Sequence, residues 1–150
     1  MLLFLGSDHA GFKLKNAIIC YLEKNKIKIE DLGVYNENKD SNYSEIAEKV
    51  SLKVVSGDFL GIICCGSGIG VSIAANKVNG IRAALCFNRN YAELARKHNN
   101  ANVLCLGERM ISTSEAITTV STFISTEFEG ERHLPRVNYI SSIERNNSKR

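Results

Sequence analysis

Short apolar runs recur along this chain, and each is followed by a segment whose apolar residues return every three or four positions. The runs have the length of buried strands, and we predict five of them, at residues 2–5, 28–32, 60–64, 81–86 and 103–106. The intervening segments have the spacing of helices with one buried face. Such alternation predicts an α/β fold, a three-layer α/β/α sandwich around a five-stranded, Rossmann-like parallel sheet.

In two of the predicted helices, the spacing of apolar residues shows which side chains share a face. In the fourth helix one face carries Tyr91, Leu94, Ala95 and His98. In the fifth, over residues 112–125, the inward face carries Ile117, Val120 and Ile124. A last segment, residues 137–145, favours a further helix. Since no repeat, linker or low-complexity block divides the chain, we expect residues 1–150 to form a single domain.

The composition excludes several classes of protein. Hydrophobic residues make up 44% and charged residues 23% of the 150 residues, which is ordinary for a soluble protein. The net charge of +3 is small and the basic residues are scattered, so we expect no nucleic-acid partner. The apolar runs are far too short to cross a bilayer, and residues 1–5 lack the basic start of a signal peptide. We therefore expect a cytoplasmic protein with no membrane partner.

The cysteines indicate reduced thiols. The five are Cys20, Cys64, Cys65, Cys86 and Cys105. Their number is odd, and no Cys-x-x-Cys or Cys/His ligand spacing occurs among them. We predict neither a disulfide framework nor a metal site, in keeping with a reducing compartment.

The most informative segment is Cys65-Gly66-Ser67-Gly68-Ile69-Gly70, between the third strand and a helix predicted to begin at Val71. A glycine-rich turn in this place directs several backbone N–H groups towards one point, where an anion is favoured. A cysteine at its edge is favoured as a thiolate. A base beside N–H donors is suited to making and holding an enediolate. The spacing matches neither a dinucleotide-binding loop nor a Walker loop.

Polar residues also follow the first and fifth predicted strands. Asp8 and His9 come after the first strand, and Arg109 comes after the fifth. Sites in open parallel sheets lie at the carboxyl ends of the strands. We therefore expect these residues to lie near the glycine loop.

Each of these residues also has a plainer interpretation. Free cysteine is among the most buried residue types, so Cys65 alone would be a core residue. Asp8 alone would be a helix N-cap. Arg109 would pair with Glu108 or another carboxylate nearby.

Residues further along the chain have plainer interpretations as well. His98 near the end of a helix is favoured there by the helix dipole. Arg132 and Arg136 are four residues apart, which is typical of a solvated helix face. We interpret His133 as exposed and give it no place in the site.

Four motifs together carry a family resemblance. They are Gly6-Ser7-Asp8-His9-Ala10-Gly11, the glycine loop with Ala74-Ala75-Asn76-Lys77, His98-Asn99-Asn100-Ala101-Asn102-Val103, and Glu129-Gly130-Glu131-Arg132-His133 with Arg136. Each is weak alone, but their order and spacing match along nearly the whole chain. The sequence resembles the type B ribose-5-phosphate isomerases, a family that also includes allose- and galactose-6-phosphate isomerases.

The resemblance implies an aldose–ketose isomerisation that needs no metal and no cofactor. It assigns Cys65 as the base that moves a proton between C1 and C2. It assigns Ser67 as a proton relay between O1 and O2. It assigns His98, helped by Asp8, to the opening of the furanose ring.

The resemblance also implies how the substrate is bound. The anion hole for the enediolate is the loop of Gly66, Ser67, Gly68, Ile69 and Gly70. The phosphate ligands are His9, Arg109, Arg132 and Arg136. Asn99 holds sugar hydroxyls, and Asp8 also contacts the substrate.

The family resemblance further implies a homodimer or tetramer with active sites shared between subunits. His98, Asn99 and the arginines would then serve the Cys65 of a neighbour, and residues 131–150 would pack on that neighbour. Two alternatives to ribose 5-phosphate isomerisation stay open. One is the same chemistry on allose or galactose 6-phosphate, and the other is a non-catalytic, flavodoxin-like binding module.

Overall fold

The computed structural model describes residues 1–147 and is built around a parallel sheet. Its strands lie in the order β2-β1-β3-β5-β4, and every neighbouring pair is parallel. They are β1 Leu2–Ser7, β2 Lys28–Asp31, β3 Leu60–Cys65, β4 Ala83–Leu85 and β5 Val103–Gly107. The predicted α/β fold with a five-stranded parallel sheet is confirmed.

Helices cover both faces of the sheet. They are α1 Phe12–Lys24, α2 Tyr43–Val55, α3 Ile69–Ala75, α4 Arg89–Asn99, α5 Thr113–Ser125 and α6 Leu134–Asn147. Short 3-10 turns at His9–Gly11 and Glu131–His133 precede α1 and α6. One apolar core joins α1, α4 and α5 to the sheet, and a second joins α2 and α3 to its other face. No helix within residues 1–147 is long and apolar enough to cross a membrane.

The strand β3 is central and buried, and its side chains alternate between the two cores. Ile62 and Cys64 belong to the core with α1, whereas Ile63 and Cys65 belong to the core with α2. The side chains of successive strand residues point to opposite faces. The two adjacent cysteines therefore lie in different environments.

The topology places a crevice beside the end of β3. Strand β2 lies beside β1 at one edge of the sheet, and the chain then crosses to β3, which lies on the other side of β1. Ligands in such sheets bind outside the carboxyl ends of strands where the order reverses. The segments that follow β1 and β3 both open onto this crevice.

The buried faces of the helices agree less well with the predictions than the positions of the strands do. In α4 the buried residues are Ala92 and Ala95, while Tyr91 and Leu94 on the assigned face are half exposed. In α5 the inward prediction holds for Val120, but Ile117 and Ile124 are only partly buried. The buried positions of α5 are Ala116, Thr119, Val120 and Phe123. The small residues Ala92 and Ala95 let α4 pack closely on α5, which leaves Tyr91 and Leu94 turned outward.

The C-terminal helix α6 buries little of its apolar surface. Val137 is its one buried residue in the described part of the chain. Its exposed large apolar side chains are Leu134, Tyr139, Ile140 and Ile143. Residues 148–150, the end of the segment predicted to pack on a neighbour, lie outside the described residues.

Candidate active site

The turn between β3 and α3 is tighter than the sequence predicts, because α3 begins at Ile69 and not at Val71. Gly68 closes the turn with φ 78° and ψ −12°, the left-handed region that favours glycine. A Cβ at this position would lie 2.5 Å from Cδ1 of Leu85 and 3.0 Å from the carbonyl carbon of Leu106. Both backbone conformation and space therefore require glycine at residue 68.

The thiol of Cys65 lies at the centre of this turn. Cys65 is the last residue of β3 and is 5% exposed. The backbone N–H of Gly68 donates to its Sγ at 3.0 Å. This contact aims a backbone donor at the sulfur and fixes the position of the Cys65 side chain within the turn. Cys64 has no such partner in the described chain, and burial raises the pKa of its thiol.

A depression of about 530 Å³ opens beside Cys65, and we call it the thiol pocket. It is lined by Asp8, His9, Ala10, Tyr43, Cys65, Gly66, Ser67, Ile69, Gly70, Ile73 and Arg109. The structure thus brings together the site residues predicted at the ends of β1, β3 and β5. The hydroxyl of Ser67 accepts the N–H of Ile69 at 3.2 Å, which orients it within the turn.

Asp8 caps a turn and also lies at the thiol pocket. Its Oδ1 accepts the N–H of Gly11 at 3.0 Å, so it caps the 3-10 turn, and it also lines the thiol pocket. Burial raises the pKa of Asp8, although the N–H of Gly11 and the nearby His9 oppose that rise. Gly11 lies against the peptide between Cys64 and Cys65, so the cap holds the end of β1 against the end of β3.

His9 extends the pocket towards the loop after β2. Its backbone N–H donates to Oγ of Ser41 at 2.9 Å, and its Nδ1 lies 3.3 Å from the same oxygen. The carboxylate Oδ1 of Asp40 lies 3.5 Å from Nδ1. These contacts hold the imidazole of His9 at the rim of the pocket.

Arg109 lies over the glycine loop of its own chain, which corrects the expectation that all the arginines serve a neighbour. Its backbone N–H donates to the carbonyl of Gly66 at 3.0 Å, and its Nη1 lies 2.9 Å from where a Cβ of Gly66 would stand. The expected pair with Glu108 is not formed, because Glu108 accepts the N–H of Leu14 at 3.0 Å. No ion pair within residues 1–147 includes Arg109, so its charge is available to an anion.

The other predicted residues lie in a second group, away from the thiol pocket. The ring of His98 stacks on that of His133, with the centroids 4.2 Å apart and the planes at 12°. Oε2 of Glu129 lies 4.0 Å from Nε2 of His98 and 3.6 Å from Nε2 of His133. Nε of Arg132 donates to Nε2 of His133 at 3.3 Å. Among the described residues, these four form what we call the histidine cluster.

Asn99 and Arg136 flank the histidine cluster. Asn99 lines a separate depression with Arg82 and Ile140, and Arg136 is close enough to influence the charge of His133. Neither residue lines the thiol pocket. Within one chain, therefore, the predicted site residues form two groups rather than one.

The sequence patterns do not predict the contacts of His133, Glu129 and Tyr43. His133 is 4% exposed, so its interpretation as an exposed residue is wrong. The i, i+4 spacing of Glu129 and His133 was the available signal for their contact. The stacking on His98, 35 positions earlier in the chain, depends on how α4 and the segment before α6 pack together. Tyr43 reaches the pocket because its ring lies against Gly70, which no local pattern reveals.

The donor atoms of His98, Glu129 and His133 lie within 4.8 Å of one another, which raises the question of a metal. Imidazole binds a metal through a nitrogen lone pair in the plane of its ring. Two planes that are nearly parallel and about 4 Å apart do not meet at one ion. The arrangement therefore fits a stacked pair better than a metal centre.

Comparisons with known proteins place this geometry in a family. A model described as ribose/galactose isomerase matches residues 3–140. The chain is 39% identical over 140 residues to ribose-5-phosphate isomerase B of Escherichia coli, covering 93% of each chain. The structure of ribose-5-phosphate isomerase B from Clostridium thermocellum matches with a TM-score of 0.95 and 42% identity, over 98% of this chain and 99% of that one. The Mycoplasma genitalium enzyme, solved with bound ribulose 5-phosphate, has a TM-score of 0.92 and 41% identity over 96% of each chain.

Proposed function

We propose, on the premise that this chain belongs to the ribose/galactose isomerase family, that it interconverts D-ribose 5-phosphate and D-ribulose 5-phosphate. It is an aldose–ketose isomerase of the non-oxidative pentose phosphate pathway. The observation that carries this function is the thiol of Cys65, held by the N–H of Gly68 in a pocket that also contains Ser67 and Arg109. The likeness to a structure with bound ribulose 5-phosphate supports the same substrate.

The chemistry follows from the arrangement around Cys65. Its thiolate removes the proton from C2 of the open aldose, and the C–H electron pair forms a C1–C2 double bond as negative charge develops on O1. The thiol then returns the proton to C1. Ser67 carries the hydroxyl proton from O2 to O1, which leaves the carbonyl on C2. No atom is gained or lost, and no oxidant is needed.

The glycine loop stabilises the charge that develops in this step. The enediolate oxygen gains negative charge only as the C–H bond breaks, so N–H donors fixed in advance favour the transition state over the substrate. Each such donor contributes about 3 kcal/mol in comparable oxyanion holes. The donors come from the loop Gly66, Ser67, Gly68, Ile69 and Gly70, in which the N–H of Gly68 faces Cys65 and that of Ile69 faces Ser67 before substrate binds.

Ring opening and phosphate binding use the remaining residues. His98 protonates the ring oxygen and removes the O1 proton, helped by Asp8, because an imidazole exchanges protons in both directions near neutrality. His9 and Arg109 at the thiol pocket, with Arg132 and Arg136, bind the phosphate. Asn99 holds sugar hydroxyls.

The site is completed by a second copy of the chain, in a homodimer or a tetramer. Two observations support this assembly. The histidine cluster is separate from the thiol pocket of its own chain, and α4 and α6 expose apolar side chains such as Tyr91 and Ile140. Exposed apolar surface of this kind is typical of an interaction site. The C-terminal segment 131–150 packs on the neighbour, and the protein works in the cytoplasm as a single-domain subunit.

A substrate comparison tests the function. Turnover of ribose 5-phosphate is measured beside allose 6-phosphate and galactose 6-phosphate, each with and without a metal chelator. The proposal requires ribose 5-phosphate to have the highest kcat/KM and the chelator to have no effect. A preference for a six-carbon sugar phosphate would transfer the same mechanism to that substrate. An absence of turnover on all three would indicate a binding module.

A further inference from the structure

His133 contacts two residues of the proposed site, His98 and Arg132, and its Nε2 also lies 3.6 Å from Oε2 of Glu129. The face of its ring stacks on His98, with the centroids 4.2 Å apart. Its Nε2 accepts the N–H of Nε of Arg132 at 3.3 Å. Its side chain is 6% exposed, whereas that of His98 is 34% exposed. His133 is thus a buried support beneath two side chains that reach outward.

The contact with Arg132 needs one protonation state of His133. A guanidinium only donates, so this hydrogen bond requires a lone pair on Nε2 of His133 and therefore a neutral imidazole. Burial lowers the pKa of His133, and the charges of His98, Arg132 and Arg136 lower it further, while Glu129 opposes them. These are the charged groups that face the ring from α4, from the segment before α6 and from α6 itself. A neutral His133 can stay in contact with His98 when that ring takes up a proton.

The two contacts fix different degrees of freedom. Stacking restricts the tilt of the His98 ring, whose nitrogen must reach the ring oxygen of the sugar. The hydrogen bond restricts the rotation of the Arg132 guanidinium, whose N–H groups must face phosphate oxygens. Displacing a catalytic group by about 1 Å can lower the rate about a hundredfold. Restricting both side chains with one buried ring would prevent such displacement.

We propose that His133 is a positioning residue of the isomerase, which holds His98 for ring opening through its face and Arg132 for phosphate binding through Nε2. This inference rests on the proposed function for the roles of His98 and Arg132. The two contacts can be removed separately, because one needs an aromatic face and the other needs an acceptor atom.

Two substitutions separate these contacts. His133→Phe keeps an aromatic face for His98 and removes the acceptor for Arg132. His133→Gln keeps an amide oxygen that can accept from Arg132 and removes the aromatic face. Val137→Ala is the structural control, since Val137 is the buried residue of α6 and belongs to neither contact.

The kinetic effects of the two variants should differ in kind. For His133→Phe we expect KM for ribose 5-phosphate and the inhibition constant of inorganic phosphate to rise about tenfold, with kcat nearly unchanged. For His133→Gln we expect kcat on ribose 5-phosphate to fall about tenfold or more, with phosphate inhibition unchanged. Exchange of the C1 proton of ribulose 5-phosphate with D₂O should survive in His133→Gln, because this sugar phosphate has no furanose ring to open.

The experiment combines steady-state kinetics, proton exchange followed by NMR, and the imidazole proton shifts of His98. Ring stacking shields those protons, so His133→Phe should keep the shielding and His133→Gln should lose it. The inference would be overturned if kcat and KM changed by the same factors in both His133 variants and in Val137→Ala. It would also be overturned if both His133 variants had wild-type kinetics. If the wild type itself fails to isomerise ribose 5-phosphate, the proposed function fails. The His98 shifts and phosphate binding of the two variants then still decide whether His133 positions the two side chains.

Discussion

The backbone N–H of Gly68 donates to Sγ of Cys65 at 3.0 Å, across a turn of three residues. The same glycine that allows the turn to close therefore supplies a donor to the thiol. The geometry of the loop and the chemistry of the cysteine depend on each other through this contact. An error in the backbone of the turn would misplace the donor even if Cys65 itself stayed in position.

Gly68→Ala should inactivate the enzyme much more than Gly80→Ala. Both glycines have positive φ, 78° and 86°, so both substitutions carry a backbone cost of about 1–2 kcal/mol. A Cβ at residue 68 would also lie 2.5 Å from Leu85, whereas a Cβ at residue 80 would lie 3.3 Å from Val55, outside the site. Turnover of ribose 5-phosphate and urea unfolding of both variants measure the difference. Similar activities would contradict a role for the turn beyond its stability.

Iodoacetamide at about pH 8 should inactivate the enzyme through one cysteine. Burial raises the pKa of Cys86 to about 12 and also raises the pKa values of Cys64 and Cys105, so these thiols stay protonated and unreactive. Exposed Cys20 should be labelled without loss of activity, and a Cys20→Ser variant serves as the control. Labelling of Cys65 should follow the loss of activity, and inorganic phosphate should slow both. Peptide mass mapping would contradict this account if activity were lost while Cys65 stayed unlabelled.

Asp8→Asn should stabilise the fold at neutral pH and reduce turnover. The folded chain holds the pKa of Asp8 above its usual 3.8, so as pH rises past 3.8 the unfolded chain loses this proton first. Ionisation therefore favours unfolding, and wild-type stability falls as pH rises through the folded pKa. Asparagine keeps an oxygen for the N–H of Gly11 but does not ionise. In urea unfolding, the free energy of unfolding of the variant should exceed that of the wild type near pH 7 and approach it below about pH 4. A difference in free energy that grew towards low pH would contradict a raised pKa of Asp8.

Mixing two inactive variants should restore activity if the site is shared between subunits. Cys65→Ala lacks the base and His98→Ala lacks the ring-opening residue, but each hybrid dimer has one site with both residues intact. A fully exchanged equimolar mixture should recover about a quarter of the wild-type activity, since half of its dimers are hybrids. Native mass spectrometry verifies the exchange. Demonstrated exchange with no recovery of activity would show that each site is complete within one chain.

The sequence predicted those features that local patterns encode. Strands appear as short apolar runs because a buried parallel strand needs apolar residues on both faces. The glycine loop and the polar residues after β1 and β5 could be placed at one sheet edge because strand ends meet there. These patterns alone place Asp8, Cys65 and Arg109 at one edge of the sheet.

Other features depend on packing between distant segments. The buried face of α4 is the one that carries its alanines, which pack against α5, so Tyr91 is exposed. The spacing of apolar residues alone does not show which face of α4 is buried. The stack of His98 on His133 joins two segments far apart in the chain, and neither residue carries a local sign of the other. Arg109 lies against the glycine loop of its own chain, and a family resemblance does not show which chain a residue faces.

The most direct test of the account compares Cys65→Ala with Cys64→Ala. These adjacent cysteines differ in their chemistry: Sγ of Cys65 receives the N–H of Gly68, while Cys64 lies in the opposite core. The measurement is proton exchange at C1 of ribulose 5-phosphate in D₂O, with circular dichroism and size exclusion as checks on the fold. We expect Cys65→Ala to keep its fold and lose at least about a hundredfold in rate, and Cys64→Ala to keep most of its activity. A folded Cys65→Ala variant with exchange within tenfold of the wild type would contradict the assignment of Cys65 as the base.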